Sequence, residues 1–313
     1  MELHQSSQVV QNLLRKRDLL LQGDRAHEQI RTGLIICGGA QRGVEGAGRC
    51  LALQLLGLHQ CFDVVVGIST GALIAAYFLD DITRGSEAVT FYYRECLDKR
   101  FINARNWPMV NLDFIEEHVM RTGRRPLNVD GMLRHRSNFF ATATCWVSGK
   151  GHLLDVKAAD DPITVIKASS AIPELYRKPV MVDGDLLTDG SYAMPFPAKE
   201  VVERFGLTDL LVVANCSEEH VRSYGSLKRR ALTNLFALGL PFVVRNAALR
   251  RPELWAENLV YLQNSQANGE ILWGPDYLDS MTRDPRVLRR AAEEGIRETL
   301  SVFGQPELPF NLL

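Results

Sequence analysis

No stretch of this 313-residue chain approaches the roughly 18 continuous apolar residues of a membrane-spanning helix. The opening segment, Met1 to Asp24, is polar and helix-like, with apolar positions at Val9, Val10, Leu13, Leu14 and Leu19 to Leu21, and lacks the apolar core of a secretory signal. A cytoplasmic protein is the expectation, with any membrane contact peripheral. Charge of one sign is not in excess: 36 Lys and Arg stand against 37 Asp and Glu, a formal net charge of −1, so nothing argues for a general attraction to nucleic acid or anionic surfaces. No C-x-x-C pair occurs among the six cysteines, Cys37, Cys50, Cys61, Cys96, Cys145 and Cys216. All of them sit among apolar residues, which favours buried free thiols over a disulfide set or a zinc site. Asp183, Asp185 and Asp189 do not follow the calcium-loop pattern, and no zinc-ligand spacing appears. No cofactor and no metal are therefore expected. Repeats, low-complexity tracts and linkers are absent too, which favours one domain. The composition is otherwise ordinary, 46% hydrophobic and 23% charged, enough apolar material for a sizeable core.

What the chain does have is Gly67-Ile68-Ser69-Thr70-Gly71, placed after the apolar run Val64-Val65-Val66 and before Ala72 to Phe78. A β-branched run, a glycine-flanked serine and a helix-forming run read as strand, tight turn and helix, the context of a nucleophile elbow. Glycine on either side lets the backbone turn where a Cβ would clash. The plainer reading is a strand-to-helix loop in which Ser69 caps the helix.

Similar units surround it. Residues 34–37 read as a buried strand, 38–43 as a glycine-rich loop and 44–58 as a helix. Strand, helix, strand, helix at this spacing argues for a parallel sheet covered by helices. A right-handed crossover brings the loop after the first strand beside the Ser69 turn, at the carboxyl ends of the strands where ligand crevices open. Residues 85–135 read as mostly helical, 139–147 and 153–156 as a hairpin, and 162–171 as a short helix started by Pro162. Asp183-Gly184 marks a two-residue turn between Val180–Val182 and Leu186–Leu187. Leu210–Ala214 and Ile271–Trp273 read as strands, 226–250 as helix-like around Pro241, and 284–302 as a last helix.

Acyl transfer by serine needs a nucleophile, a base and donors for the developing oxyanion. Ser69 is the nucleophile candidate. Gly38-Gly39-Ala40 is the donor candidate, because consecutive small residues let backbone N–H groups face a substrate, and the helix behind adds a favourable dipole. The loop is a poor phosphate cradle: Gly38 to Gly43 has the spacing of a nucleotide-binding loop, but Val44-Glu45 replaces the required Lys and Ser/Thr, and no G-x-G-x-x-G exists. Arg42 has three open roles: orienting the loop, meeting a substrate phosphate, or pairing with a surface carboxylate. The base is harder to place. Of the histidines only His220 lies late enough for a Ser-acid-His order, and its Glu218-Glu219 neighbours suggest a solvated loop. Asp189, in Thr188-Asp189-Gly190-Ser191, is either a turn residue or the base.

Together these residues resemble the patatin-like phospholipases. Gly38 to Gly43, Gly67 to Gly71 and Asp189-Gly190 occur in the order of that family's oxyanion loop, G-x-S-x-G serine and D-G-[GA] aspartate, and Ala168-Ser169-Ser170-Ala171-Ile172-Pro173 resembles its small-residue segment. The resemblance runs from about Gly33 to Asn215, with 284–302 similar to the tail of bacterial members. It implies an α/β fold, a three-layer α/β/α sandwich with a mainly parallel central sheet. It implies Ser69 as nucleophile with Asp189 as its direct partner, and Gly38, Gly39 and Ala40 as the oxyanion hole. Residues 33–215 would be the catalytic core, with 1–32 an N-terminal helical extension and 216–313 a C-terminal helical extension on the same domain. Ala40 stands where a third glycine is usual, Ser191 replaces the commoner glycine, and Met194 stands where a polar residue often precedes proline.

The function expected is hydrolysis of carboxylic esters of lipids, as a phospholipase, lysophospholipase or esterase. The alternative is a catalytically weak lipid-binding or protein-interaction module, which Ala40 keeps open. Lipid as partner has one independent support. Lys228-Arg229-Arg230 precedes Leu232, Leu235, Phe236, Leu238, Leu240 and Phe242, and Arg245, Arg250 and Arg251 follow, a basic-flanked apolar segment that suits a membrane interface, a lid or a core helix with solvated ends.

Overall fold

The computed structural model describes the chain apart from residues 1–6, 81–84, 104–108, 125, 177, 224–225, 227–232, 236, 238 and 306–313. Lys228, Arg229, Arg230, Leu232, Phe236 and Leu238 of the basic-flanked segment lie outside the described residues. Helix α1 (Gln8–Gln22) leads into β1 (Thr32–Ile36), α2 (Gly43–Leu55), β2 (Val64–Gly67) and α3 (Thr70–Asp80). Then come α4 (Gly85–Tyr93), α5 (Leu112–Ile115), which continues as a π-helical turn Glu116–Arg121, and α6 (Val129–Arg134). Next are β3 (Asn138–Cys145), β4 (Gly151–Asp155), α7 (Pro162–Ser169), β5 (Val180–Val182) and β6 (Asp185–Asp189). The chain closes with α8 (Ala198–Phe205), β7 (Asp209–Ala214), α9 (Glu218–Ser223), α10 (Phe242–Asn264), β8 (Asn268–Trp273) and α11 (Pro285–Val302).

The strands form one sheet. β3, β2, β1, β7 and β8 run parallel in that order, and β4, β6 and β5 add antiparallel pairs at the β3 end. The central parallel strands β1, β2 and β7 are buried on both faces, so their side chains alternate between two cores rather than between core and water. Leu34, Ile36, Val65, Leu211 and Val213 enter the core built with α2, α3 and α4. Ile35, Val64, Val66, Leu210 and Val212 enter the opposite core, built with α8 and α10 around Phe196 and Trp255. That is the three-layer α/β/α sandwich. None of the six cysteines forms a disulfide, and all six are buried. Among the described residues no helix is long and apolar enough to cross a membrane.

Two local differences from the sequence reading have simple causes. Of the helix expected over 226–250 around Pro241, residues 227–232, 236 and 238 lie outside the described residues; directly after Pro241 a helix begins at Phe242 and runs to Asn264 through Pro252. A proline lacks the N–H a helix interior uses, so it fits just ahead of a helix start. The hairpin partner of β3 begins at Gly151, earlier than expected, because β3 itself ends at Cys145 and the turn shifts with it to 146–150. The Asp183-Gly184 turn forms as its residue types suggest, with both φ angles positive, +49° and +88°.

The feature that positions the site is a change of partner along β3. A strand has two edges. On one edge of β3, β4 pairs from Phe140 to Thr144. On the other, β2 pairs from Asn138 to Ala141 and stops at Gly67, and β6 takes over from Ala143 to Cys145. Asp189, opposite Ala143, therefore sits just beyond the carboxyl end of β2, where the chain turns into Ser69.

At the amino ends of the strands, α1 closes the sheet with polar contacts. Lys16 Nζ lies 2.6 Å from Asp63 and donates to Thr32 Oγ1 at 3.0 Å, and Asn12 Nδ2 donates to Asp209 at 2.7 Å.

Candidate active site

Ser69 follows β2 and immediately precedes α3, in the left-handed backbone region at φ +56°. That conformation is costly for a residue with a Cβ and needs surroundings that enforce it. Gly71 supplies the space: a Cβ there would lie 2.1 Å from the Ile36 carbonyl oxygen, so only glycine lets the turn press against the end of β1. The Ser69 N–H donates to Ser169 Oγ at 3.0 Å, which ties the elbow to the end of α7. Ser169 belongs to the small-residue segment noted above, and here its hydroxyl has a specific task.

The loop after β1 lies alongside. A Cβ at Gly38 would stand 2.8 Å from Ser69 Cβ. Ala40 adopts φ +50°, again left-handed, and shares a pocket wall with Ser69 and Thr70. Beyond it the Gln41 N–H donates to Ser280 O and the Arg42 N–H to Gly39 O, both at 3.1 Å. Among the described residues, by contrast, no acceptor takes the N–H of Gly38, Gly39, Ala40 or Thr70. Backbone donors in a folded protein are almost always paired, and unpaired ones beside a strained serine can receive a ligand oxygen. Asn215 brackets the same loop from β7: its Nδ2 donates to Cys37 O, and a Cβ at Gly39 would meet its side chain at 2.8 Å.

Asp189 is the last residue of β6 and has no exposed surface. The Thr144 hydroxyl donates to its carbonyl at 2.8 Å, and its own N–H donates to Ala171 O at 3.1 Å. Oδ1 accepts from the Ser191 N–H at 2.8 Å. Oδ2 is buried and accepts no hydrogen bond of good geometry. Burial raises the carboxyl above its ordinary pKa; hydrogen bonding from Ser191 and from the Ser69 hydroxyl, together with the charge of Arg251, pulls it part of the way down. Ser69 and Asp189 are thus neighbours without a well-formed hydrogen bond between them. Tyr192, in the loop after Asp189, donates to Glu174, whose carboxyl burial also raises.

Ser69 opens onto an apolar pocket. Leu73, Phe91, Ile102, Met120 and Leu175 line it. Among its polar side chains Lys167 pairs with Glu116 at 2.6 Å, whereas the Gln41 amide, Thr70 Oγ1 and the Tyr92 hydroxyl are buried without a well-formed hydrogen bond. The predicted Arg42 does not line this pocket. It lies behind the loop, where Nη1 donates to His220 Nε2 at 2.7 Å, in a separate polar cavity with Arg251, Asp276 and Asp279. That contact also accounts for His220, which meets Arg42 rather than the serine. Among the described residues no three His, Cys, Asp or Glu side chains gather as a metal site.

A family model described as patatin-like phospholipase matches residues 34–202, a span that holds the glycine loop, Ser69 and Asp189. The chain belongs to the patatin-like phospholipase family. Lipid acyl hydrolysis is the activity of that family in general. A curated relative, the uncharacterized protein YjjU of Escherichia coli strain K12, is 29% identical over 189 residues, 58% of this chain and 51% of that protein. The chain therefore spans about half the length of the curated relative it matches. Among solved structures, VipD from Legionella pneumophila is 15% identical with a TM-score of 0.47, covering 88% of this chain and 67% of that one. The type III effector protein ExoU is 14% identical with a TM-score of 0.37, covering 87% and 53%.

The sequence reading missed Asn215, Glu174, Tyr192 and Arg251 around this patatin-like site. Arg251 carries no local signal, since it reaches Asp189 from a helix more than sixty residues away in the chain.

Proposed function

We propose that this patatin-like protein hydrolyses carboxylic esters of lipids through a Ser69–Asp189 dyad. The observation that carries the reading is the coincidence of a strained serine, a buried carboxylate oxygen without a well-formed hydrogen bond, and an apolar pocket walled by Ala40 and Thr70 beside that serine. Asp189 takes the Ser69 proton as the oxygen attacks the ester carbonyl. The N–H groups of Gly38, Gly39 and Ala40 hold the oxyanion, and such donors typically contribute ~2.7–4 kcal/mol each to the transition state. The alcohol leaves, and water hydrolyses the acyl-enzyme. The apolar pocket takes the acyl chain. Burial makes Asp189 a stronger base than a free aspartate, which suits proton abstraction without a histidine.

In this reading residues 33–215 carry catalysis, and 1–32 and 216–313 are extensions packed on the same domain. No cofactor takes part. Arg42, turned onto His220 in a separate cavity, orients the loop and does not touch the acyl chain. The protein works in the cytoplasm, in peripheral contact with lipid; six buried cysteines outside any disulfide support a reducing compartment.

The test is hydrolysis of a short-chain nitrophenyl ester and a fluorogenic phospholipid by the parent protein, Ser69→Ala and Asp189→Asn, with fluorophosphonate labelling of Ser69. Turnover in the parent alone supports the dyad. Full activity in Asp189→Asn sinks it. Silence on both substrates, with no labelling, favours the catalytically weak binding module.

A further inference from the structure

The turn after β3 and the first turns of α10 form a surface that acyl transfer does not use. β3 outruns its neighbour: Gly67 ends β2 opposite Ala141, whereas β3 continues to Cys145. At ordinary strand rise this is about 13 Å. The turn from Trp146 to Lys150 therefore stands past the carboxyl ends of the parallel strands, the end of the sheet that carries Ser69. It packs on α10, since a Cβ at Gly149 would lie 2.5 Å from Val243 O, and Trp146 and Tyr192 join Val243 and Val244 in a small apolar cluster.

Each wall of this junction leaves one apolar side chain in water: Val147 is 71% exposed and Phe242 is 74% exposed. Between the walls runs a groove lined by Lys150 and Arg250 with Ser148, Asn246 and Ala193. Among the described residues neither Lys150 nor Arg250 has an ion-pair partner. Ala193 follows Asp189 by four residues, so the groove borders the loop behind the acid. Asp183 and Asp185, on the neighbouring β5–β6 hairpin, limit the positive surface on that side. Single exposed apolar residues are common. Two of them flanking a groove with two unpaired cations, at the catalytic end of the sheet, match the chemistry of a bilayer surface, with apolar material inside and phosphate above it.

We propose that this surface docks the protein on an anionic bilayer, with Val147 and Phe242 entering the interfacial layer and Lys150 and Arg250 receiving lipid phosphates in the groove between them. The proposal rests on the acyl-hydrolase reading only for the choice of a bilayer as occupant. Docking orients the reaction: it brings the Ser69 end of the sheet to the membrane.

The test is co-sedimentation of the Ser69→Ala protein, which needs no turnover, with vesicles of phosphatidylcholine alone or mixed with phosphatidylglycerol. The mixed vesicles should be preferred. Lys150→Gln with Arg250→Gln should weaken binding to them roughly 30-fold at low salt, from about fivefold per cation, and flatten the salt dependence. Val147→Ser with Phe242→Ser should weaken binding to both vesicles by roughly tenfold. In the protein with Ser69 intact, the same substitutions should leave hydrolysis of a soluble short-chain ester unchanged. Binding that neither pair alters overturns the proposal, as does a parent protein that sediments with neither vesicle. Should thermal melting show a double variant unfolded, a nitrobenzoxadiazole label on Phe242→Cys decides instead, selectively because the native thiols are buried. A blue-shifted emission on mixed vesicles supports insertion, and an unshifted one overturns it. Vesicle binding without ester turnover would count against the catalytic reading alone.

Discussion

The two ends of the central sheet bury polar groups in opposite ways. At the amino ends, Lys16 is buried but matched: Asp63 faces it at 2.6 Å, Thr32 accepts from it, and Asn12 bonds Asp209 nearby. Burial still lowers the Lys16 pKa, against the raising effects of the Asp63 hydrogen bond and charge. At the carboxyl ends the chain leaves things unmatched. Ser69 and Ala40 hold left-handed backbone, Asp189 keeps a buried oxygen without a well-formed bond, and Ala40 and Thr70 line an apolar pocket beside the serine. The amino end is organised to close the fold. The carboxyl end stores mismatch that a substrate oxygen and a shared proton would relieve, the usual trade of stability for activity.

The largest effect expected at the catalytic end is on rate. Asp189→Asn should lower turnover by roughly 10⁴-fold, the scale seen when a triad carboxylate is neutralised. The same change should raise stability by about 1 kcal/mol, because it removes a buried carboxylate left partly unsatisfied. An acid whose pKa is raised in the folded state keeps its proton longer there. Its favourable contribution is complete below the ordinary carboxylate range and is lost as pH rises through the raised value. The ionised form required of a base therefore costs stability. By the same shift, the acid limb of kcat/KM in the parent should lie above the ordinary aspartate value. Urea melts and a pH–rate profile check both. A destabilised Asp189→Asn, or a limb at or below the ordinary value, would mean that the acid is matched after all and that the contrast between the two ends fails.

The amino end should answer in the other direction. Asp63→Ala leaves the Lys16 ammonium buried with only Thr32 for company, and should cost about 3 kcal/mol of stability. Turnover at the far end of the sheet should not change. A stable variant in urea melts would show that water reaches Lys16 and that this end is less closed than its geometry indicates.

Gly38→Ala comes next. Its added methyl would stand 2.8 Å from Ser69 Cβ and 3.1 Å from the Ile68 carbonyl, backbone that cannot move without moving the elbow. Turnover should fall roughly 100-fold, about the loss of one oxyanion donor, with little change in melting temperature. Equal losses of activity and stability would make Gly38 a packing residue rather than part of the site.

How much of this was legible in the sequence depends on the distance over which each feature is encoded. The elbow and the Asp183-Gly184 turn are local, and residues next to one another state the backbone they need. The alternation of strands and helices is local as well. Asp189 was ambiguous for a physical reason: an Asp-Gly at a strand end looks the same whether it turns into water or beneath a serine. Only the succession of β2 and β6 along one edge of β3 separates the two, and that register is a long-range property. Arg42 shows the reverse limit. Its place in the loop was evident, but its direction, away from the apolar pocket and onto His220, follows from helix α9, which nothing near Arg42 announces.

The smallest effect expected lies at Ala40, where the chain departs from a run of three glycines. At φ +50° an alanine pays about 1 kcal/mol for its Cβ. Ala40→Gly removes that strain but frees the unfolded chain, which costs roughly 0.4–1 kcal/mol. The two nearly cancel, so stability should change by no more than about 0.5 kcal/mol. What changes is the pocket wall beside Ser69, which loses one methyl. Discrimination between short and long acyl esters should therefore shift by only a few-fold, since one methyl-sized change in an apolar pocket is worth about 1 kcal/mol. A gain of 100-fold or more in turnover would instead mean that the alanine distorts the donor loop, and that this site is held below the activity its remaining geometry supports.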